Sequence, residues 1–362
     1  MSILYVLAAI LLLGILVVVH EFGHFIFARM CGIEVSEFAV GFGPKLFGWK
    51  SRKYDTKFSV RLIPMGGFCA FYGEDDAEGN HIDDPRAYAK QPVWKRMLSV
   101  IMGPGMNFVL AFVVLALFFW ISGSVIYDPV IMDVEAGGPA YEAGMRANDV
   151  IESINGVSVL DGTTTTVIAA ISGYDGTAPL HLVVRRAGSE PIEMDLTPFF
   201  DEAYGRYRAG VTIGAAPRTT ADGQLMRTPI SLGTALSGSW NNCVQAGTMI
   251  LSTLKALVTT GQGFENTSGP VGVVTLVSRE VESGGLEAFL NLLVLISINL
   301  GVMNLLPIPG LDGSRFLFMV LEAVRRKPIP PQKEAVVHLA GMAFLFALMI
   351  FFTFRDVANL FH

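Results

Sequence analysis

From Ile3 to Ala28 the chain is an apolar run interrupted only by His20, Glu21 and His24, written in order as His20-Glu21-Phe22-Gly23-His24. No other feature restricts the fold so much. An ionisable side chain near the centre of a membrane helix costs on the order of 2.5 to 3.5 kcal/mol, so residues of this kind inside an apolar span imply a functional site. Residues four apart on a helix lie on one face about one turn apart, so His20 and His24 can share a metal ion through their imidazole nitrogens. Glu21 stands beside them. In an H-E-x-x-H pattern the glutamate takes a proton from a water that the metal has acidified from about 15.7 to about 7. The bland alternative is a pair of histidines bonded to backbone between helices.

The run itself reads as a transmembrane helix over residues 3 to 29. A cleaved signal peptide is not expected, because the run has no positively charged n-region, is too long, and is not followed by an A-x-A-like cleavage site. Further spans are predicted at Met97–Ile121, Leu286–Leu306 and Val336–Phe352, each near the roughly 20 residues needed to cross hydrocarbon. Trp120 suits an interfacial belt. Cys243–Thr259 carries Gln245, Thr248, Ser252, Thr253 and Lys255 with apolar residues on one side, and suits an interfacial amphipathic helix better than a fifth span.

Composition agrees with a membrane protein. Charged residues make up 16% of the chain and apolar ones 52%, against about 25% charged in a typical soluble domain. The net charge of −6 offers no basic excess for phosphates, so no nucleic-acid partner is expected. Cys31, Cys69 and Cys243 are far apart and form no CxxC pair, which argues against both a disulfide framework and a cysteine zinc cluster.

Basic residues set the expected orientation. The segment between the first two spans carries Lys45, Lys50, Arg52, Lys53, Lys57, Arg61, Arg86, Lys90, Lys95 and Arg96, and the last loop carries Arg315, Arg325, Arg326, Lys327 and Lys333. Both are predicted cytoplasmic by the positive-inside rule, with both termini outside and residues 123 to 285 extracytoplasmic.

Within that extracytoplasmic segment the pattern changes to short strands and glycine turns, with Val150, Ile154 and Val157 flanking an Asn155-Gly156 hairpin turn. A small β-rich module with two short helices is predicted over about 128 to 215. Gly138-Pro139-Ala140-Tyr141-Glu142-Ala143-Gly144-Met145, followed by Asn148-Asp149-Val150-Ile151 and Ile154-Asn155-Gly156, closely resembles a PDZ domain of the bacterial type. Such domains bind peptide termini or extended strands by adding a strand to a sheet edge. A module that only occludes or spaces is the alternative.

A hydrolytic zinc site usually takes three protein ligands and a water, so the first helix leaves one ligand to find. At the end of the third span, Asn304-Leu305-Leu306-Pro307-Ile308-Pro309-Gly310-Leu311-Asp312-Gly313 breaks the helix and contains a single acid. Irregular backbone at membrane depth occurs where it is buried in protein or lines a wet cavity, which makes Asp312 the third-ligand candidate. Spans one and three run in the same direction, placing both motifs toward the cytoplasmic side. A turn or N-cap role for Asp312 is the alternative.

The H-E-F-G-H motif, the PDZ-like insertion, and Asn304-x-x-Pro307 leading to Leu311-Asp312-Gly313 together resemble the site-2 protease family of intramembrane zinc metalloproteases. The likeness covers nearly the whole chain and is specifically to the bacterial regulator-of-sigma-E protease branch, here with a single PDZ domain where some members carry two. It implies one zinc ion held by His20, His24 and Asp312, Glu21 as catalytic base, and Asn304 holding substrate backbone near the metal. An interhelical hydrogen bond is the other reading of Asn304. The implied substrates are single-span membrane proteins cleaved within the bilayer, such as an anti-sigma factor already trimmed by another protease. The implied location is the inner membrane of a bacterial cell, with the lipid bilayer as surroundings.

The resemblance also gives roles to two other segments. Gly41-Phe42-Gly43-Pro44 with Phe58–Phe68 resembles the family's membrane-associated β-hairpin, able to offer an edge strand to an unwound substrate. An ordinary loop hairpin is the alternative. Gly103-Pro104-Gly105-Met106-Asn107 is expected to break the second span and bring backbone close to a neighbour beside the active site. The expected organisation is thus residues 1–127 with the first two spans and the hairpin, 128–215 PDZ-like, 216–285 an extracytoplasmic amphipathic helix and linker, and 286–362 the last two spans. The competing classes are a catalytically silent PDZ-containing scaffold and a metal-binding membrane protein. A scaffold would not need Glu21 in the motif, and a metal transporter or sensor would want further acids or histidines across several spans, where few are present.

Overall fold

The computed structural model describes residues 2–74, 84–160, 164–186, 189–202, 204–220, 223–261, 263, 267–327 and 329–360. In chain order the elements are α1 (Ile3–Met30), β1 (Val35–Lys50), β2 (Lys57–Phe71), a 3₁₀ turn (Tyr88–Lys90), α2 (Val93–Ser122), β3 (Ser124–Val125), β4 (Tyr127–Val134), α3 (Pro139–Glu142), β5 (Val150–Ile154), β6 (Val157–Ser158) and α4 (Thr165–Ser172). There follow β7 (Leu180–Arg185), β8 (Ile192–Leu196), β9 (Phe199–Asp201), β10 (Arg206–Arg208), β11 (Val211–Pro217), β12 (Arg227–Thr228), α5 (Leu232–Thr260), α6 (Pro270–Leu305), α7 (Asp312–Arg325) and α8 (Pro331–Leu360). They form two compact units, Met1–Leu117 with Gly233–His362, and Phe118–Leu232.

In the first unit, α1, α2, α6 and Gln332–Ala358 of α8 are long and apolar enough to cross a membrane, while α5 is outside that set. Helices in a bilayer gain little from the hydrophobic effect and associate through close packing and interhelical hydrogen bonds. Accordingly Ala9, Leu12 and Leu16 of α1 pack on Val277, Val281 and Leu293 of α6. The Ser278 hydroxyl also reaches the Tyr5 carbonyl at 3.3 Å. Gly23 lets α1 and α2 approach so closely that a β-carbon there would collide with the Met102 carbonyl.

Three details differ from the sequence expectations. The stretch before the third span is helical from Pro270, and Gly285, with φ 57° and ψ −138°, breaks α6 just before Leu286, where the span was expected to start. That conformation is open to glycine and strained for other residues. Val273, Val277 and Val281, spaced at four, give the earlier half its packed face, while Arg279, Glu280 and Glu282 lower its hydropathy. Secondly, α2 is not broken at Gly103-Pro104-Gly105 and runs helically through Pro104. A proline removes one backbone bond from a helix interior, which a long span survives. Thirdly, the hairpin is folded over on itself. Residues 37–40 pair both with 57–60 and with 67–70, while Phe47–Lys50 pair on the far side of 57–60. The corners fall at Gly41, Gly43 and Gly66, with φ of 88°, 83° and 86°.

The second unit is an antiparallel sheet in the order β11-β4-β5-β7-β8, with β6 returning onto β5 through the Asn155-Gly156 turn. Ile131, Ile151, Leu182, Val184 and Leu196 point into its core, and α3 and α4 cover them with Ala140, Val167 and Ile171. The short β12 pairs with β3 through Arg227 and Thr228.

The fully buried Asp149 accepts two hydrogen bonds from Arg186 and one from the Arg146 backbone N–H, each at 2.8 Å. Burial alone would raise its pKa, but the Arg186 hydrogen bonds, the Arg146 amide and the charges of both arginines hold it below the usual aspartate range. A carboxyl with a lowered folded-state pKa contributes stability that is complete above its unfolded value and is lost as pH falls through the folded value. Asp149→Ala is expected to destabilise this unit by about 3 kcal/mol at neutral pH, the low end for a broken buried ion pair because Arg186 keeps contact with water. The deficit should shrink on acidification below about pH 4, the region of an unfolded aspartate. Hydrogen exchange of the β4, β5 and β7 amides in the full chain measures it, and a deficit constant with pH would remove this role.

Candidate metal centre

The first unit brings His20, His24 and Asp312 together. His20 Nε2 lies 3.1 Å and His24 Nε2 3.3 Å from Asp312 Oδ2. One donor atom from each of the three residues lies within 4.8 Å of the others, the only such group found among the described residues. The histidines are buried, and their rings meet edge-on with centroids 5.0 Å apart.

Asp312 is placed by a change of chain direction. Helix α6 ends at Leu305, two prolines follow, and α7 begins on Asp312 itself. Gly313 packs against the last carbonyls of α6, where any β-carbon would collide with the Leu305 and Leu306 oxygens. The N-cap position is Leu311, whose side chain makes no cap bond, so the Asp312 carboxylate is not spent on capping and faces the histidines. Ion pairs Arg96–Glu322 at 2.6 Å and Arg315–Glu74 at 2.7 Å tie α7 down.

The hydrogen bonds test whether this donor set suits a metal. His24 Nδ1 lies 2.9 Å from the Ser99 carbonyl, which can only accept, so Nδ1 carries the proton. In the neutral ring Nε2 then faces Asp312 Oδ2 with one lone pair opposed to another, the arrangement that two ligands of one cation take. Ligands about 2.0–2.1 Å from a tetrahedral zinc stand about 3.3 Å apart, close to the spacing seen. On the other histidine, His20 Nδ1 lies 3.1 Å from the Asn107 side-chain amide. Asn107 is fully buried, and its Oδ1 is without a hydrogen-bond partner. Turning the amide end for end puts that oxygen on His20 Nδ1, where it accepts the proton of a ring whose Nε2 is committed to a ligand. The residues fit a metal.

A cavity of about 420 Å³ opens at these donors, and Glu21, Asn304, Arg315 and His338 line it with residues 67–71 of β2. Glu21 has room because residue 67 is glycine, where a β-carbon would sit 3.1 Å from Glu21 Cγ and 2.7 Å from the Ala39 carbonyl. The close approach expected of Gly103 is present, since a β-carbon there would strike the His24 ring.

All five residues singled out from the sequence therefore border one cavity. Ser99, His338 and the specific use of Asn107 were not foreseen. Asn107 left a signal as a lone amide in an apolar run, whereas Ser99 acts through its backbone carbonyl and leaves none.

The sequence profile of Peptidase family M50 matches residues 8–348. Zinc metalloprotease RasP of Oceanobacillus iheyensis is 31% identical over 98% of this chain and 99% of its own length. Regulator of sigma-W protease RasP of Bacillus subtilis is 30% identical with the same coverage. Among solved structures, the PDZ domain of the SdrC-like protein of Listeria monocytogenes aligns with 25% of this chain and 92% of its own at 22% identity and a TM-score of 0.22.

Proposed function

The chain belongs to Peptidase family M50, a zinc metalloprotease of the site-2 type, and from that premise we propose that His20, His24 and Asp312 hold its zinc, that Glu21 is the base, and that the substrate is a single-span membrane protein. The convergence of three donor atoms from opposite ends of the chain is the observation that carries this reading.

Zinc, when held there, acts as a Lewis acid on the scissile carbonyl and makes water acidic enough to attack it. The chain's own residues supply the rest. Glu21 borders the same cavity as the donors and takes the proton of the attacking water, then returns it to the departing amine. Asn304 offers an amide to the substrate backbone. A helical substrate hides its carbonyls in hydrogen bonds four residues apart, so it must unwind before attack. Residues 67–71 pair with 35–40 on one side and line the cavity beside Glu21, which supports their offering backbone to the unwound segment as an added strand. The surrounding helices limit bulk water.

The basic residues of 31–96 and 315–333 support a cytoplasmic location for this site, with the PDZ-like unit outside and α5 at the outer interface. The name of the B. subtilis relative supports a substrate that restrains a sigma factor, within a bacterial inner membrane. The test is cleavage of a single-span protein by the purified chain in lipid vesicles. Cleavage should vanish on removal of zinc by a chelator and return on adding about one equivalent of zinc per chain. Cleavage that persists at full strength in zinc-free protein would end this reading.

A further inference from the structure

His338 of α8 borders the same cavity and has no part in the chemistry above. Its Nδ1 lies 3.2 Å from the backbone nitrogen of Gly310 and 3.5 Å from Ser314 Oγ, residues on either side of Asp312. The Gly310 N–H can only donate, so Nδ1 keeps its lone pair and the ring carries its proton on Nε2. That Nε2 is buried, 3.6 Å from Glu334 Oε1. The Ser314 hydroxyl donates its own proton to the Leu311 carbonyl at 2.8 Å. The Phe318 ring lies edge-on to the imidazole, centroids 5.6 Å apart.

More of α8 grips the same turn. His338, Gly341, Met342 and Leu345 fall on one helix face. A β-carbon at Gly341 would collide with the Pro309 carbonyl, and one at Gly310 would press on Met342 at 3.2 Å and Leu345 at 3.4 Å. Gly310 itself sits at φ +99°. The opening residues of a helix lack intrahelical partners for their N–H groups and are the part that frays. Asp312 is such a residue, and its carboxylate must meet two histidines fixed on another helix.

We propose that His338 is a positioning residue, clasping the Pro309-Gly310-Leu311 turn so that Asp312 is held in register for the metal. This rests on Asp312 being a ligand. His338 acts through backbone and needs only an acceptor at the position of Nδ1. Asparagine carries its Oδ1 the same number of bonds from the backbone, whereas leucine fills similar space with no acceptor.

The experiment uses the full chain in detergent, loaded with zinc or cobalt, as wild type, His338→Asn, His338→Leu and Asp312→Ala. Zinc should pass to a competing chelator about tenfold faster from His338→Leu than from wild type, the scale expected when an outer partner of a ligand is lost. His338→Asn should restore retention, and of the two His338 variants the visible absorption of the cobalt protein should shift in His338→Leu and not in His338→Asn. A role in packing alone would lower the melting temperature of both variants without this split. Equal retention by leucine and wild type, or no rescue by asparagine, overturns the proposal. Wild type that holds no zinc overturns the ligand assignment and the proposal with it, whereas loss confined to Asp312→Ala leaves the ligand standing and removes the clasp. Should His338→Leu fail to fold, ¹⁵N resonances of the wild-type histidines decide: a His338 ring protonated on Nε2 with Nδ1 accepting supports the clasp, and a proton on Nδ1 ends it.

Discussion

Glu21→Gln is expected to lower peptide hydrolysis by about 10²- to 10⁴-fold, the usual contribution of a positioned general base, while zinc content stays at the wild-type level. Glutamine keeps the shape and the cavity lining but cannot accept the proton of the attacking water. The side chain is not among the three metal donors, so its replacement leaves the two histidines and Asp312 where they are. Measuring turnover of a single-span substrate in vesicles beside bound zinc separates the two effects. Turnover within a few-fold of wild type at full zinc occupancy would mean that another group takes the proton. Loss of zinc along with activity would place Glu21 among the supports of the metal.

Asp312→Ala should have the larger effect on the metal itself. The substitution removes the carboxylate 3.1 Å from His20 Nε2 and 3.3 Å from His24 Nε2 and leaves the two imidazoles without it. Affinity should fall by more than the roughly 10- to 100-fold that loss of a mere outer partner costs, because a ligand and its negative charge both go. Competition with a graded series of chelators gives the number, and the elution profile checks that α7 still packs. A variant that retains zinc against the same chelators as wild type would remove Asp312 from the ligand set, and with it the link between the first helix and the turn after α6.

Glu21 was visible in the sequence because a membrane helix makes an ionisable side chain costly, and Asp312 because it is the lone acid where Pro and Gly break the chain at membrane depth. The same reasoning located the four apolar helices, and the hairpin turn at Asn155-Gly156 followed from turn chemistry alone. What the sequence hid were contacts made by backbone and by distant elements. The Ser99 carbonyl that orients His24 is common to every residue type, and nothing local joins His338 to Gly310. Pro104 looked like a break because a proline's cost is local, while the neighbouring helices that hold α2 together are not. The folded-over hairpin was missed for a related reason. Positive φ at Gly41, Gly43 and Gly66 marks corners, but which strand segments meet across them depends on register over the whole of β1 and β2.

Helix α8 touches α6 and its neighbourhood at two distant points. Near its start His338 meets Gly310, and near its end the buried Asp356 accepts the Gly272 N–H at 2.7 Å, within the first turn of α6. On a ribosome the chain emerges from its amino end, so His20, Glu21 and His24 exist long before Asp312, and the helix that fastens both ends of this assembly follows them all. A growing chain therefore carries two of the three proposed donors and the proposed base, without the group that draws them into one site. The proposed donors can therefore come together only after α6 and the turn to Asp312 have been made, and α8 fastens that turn later still.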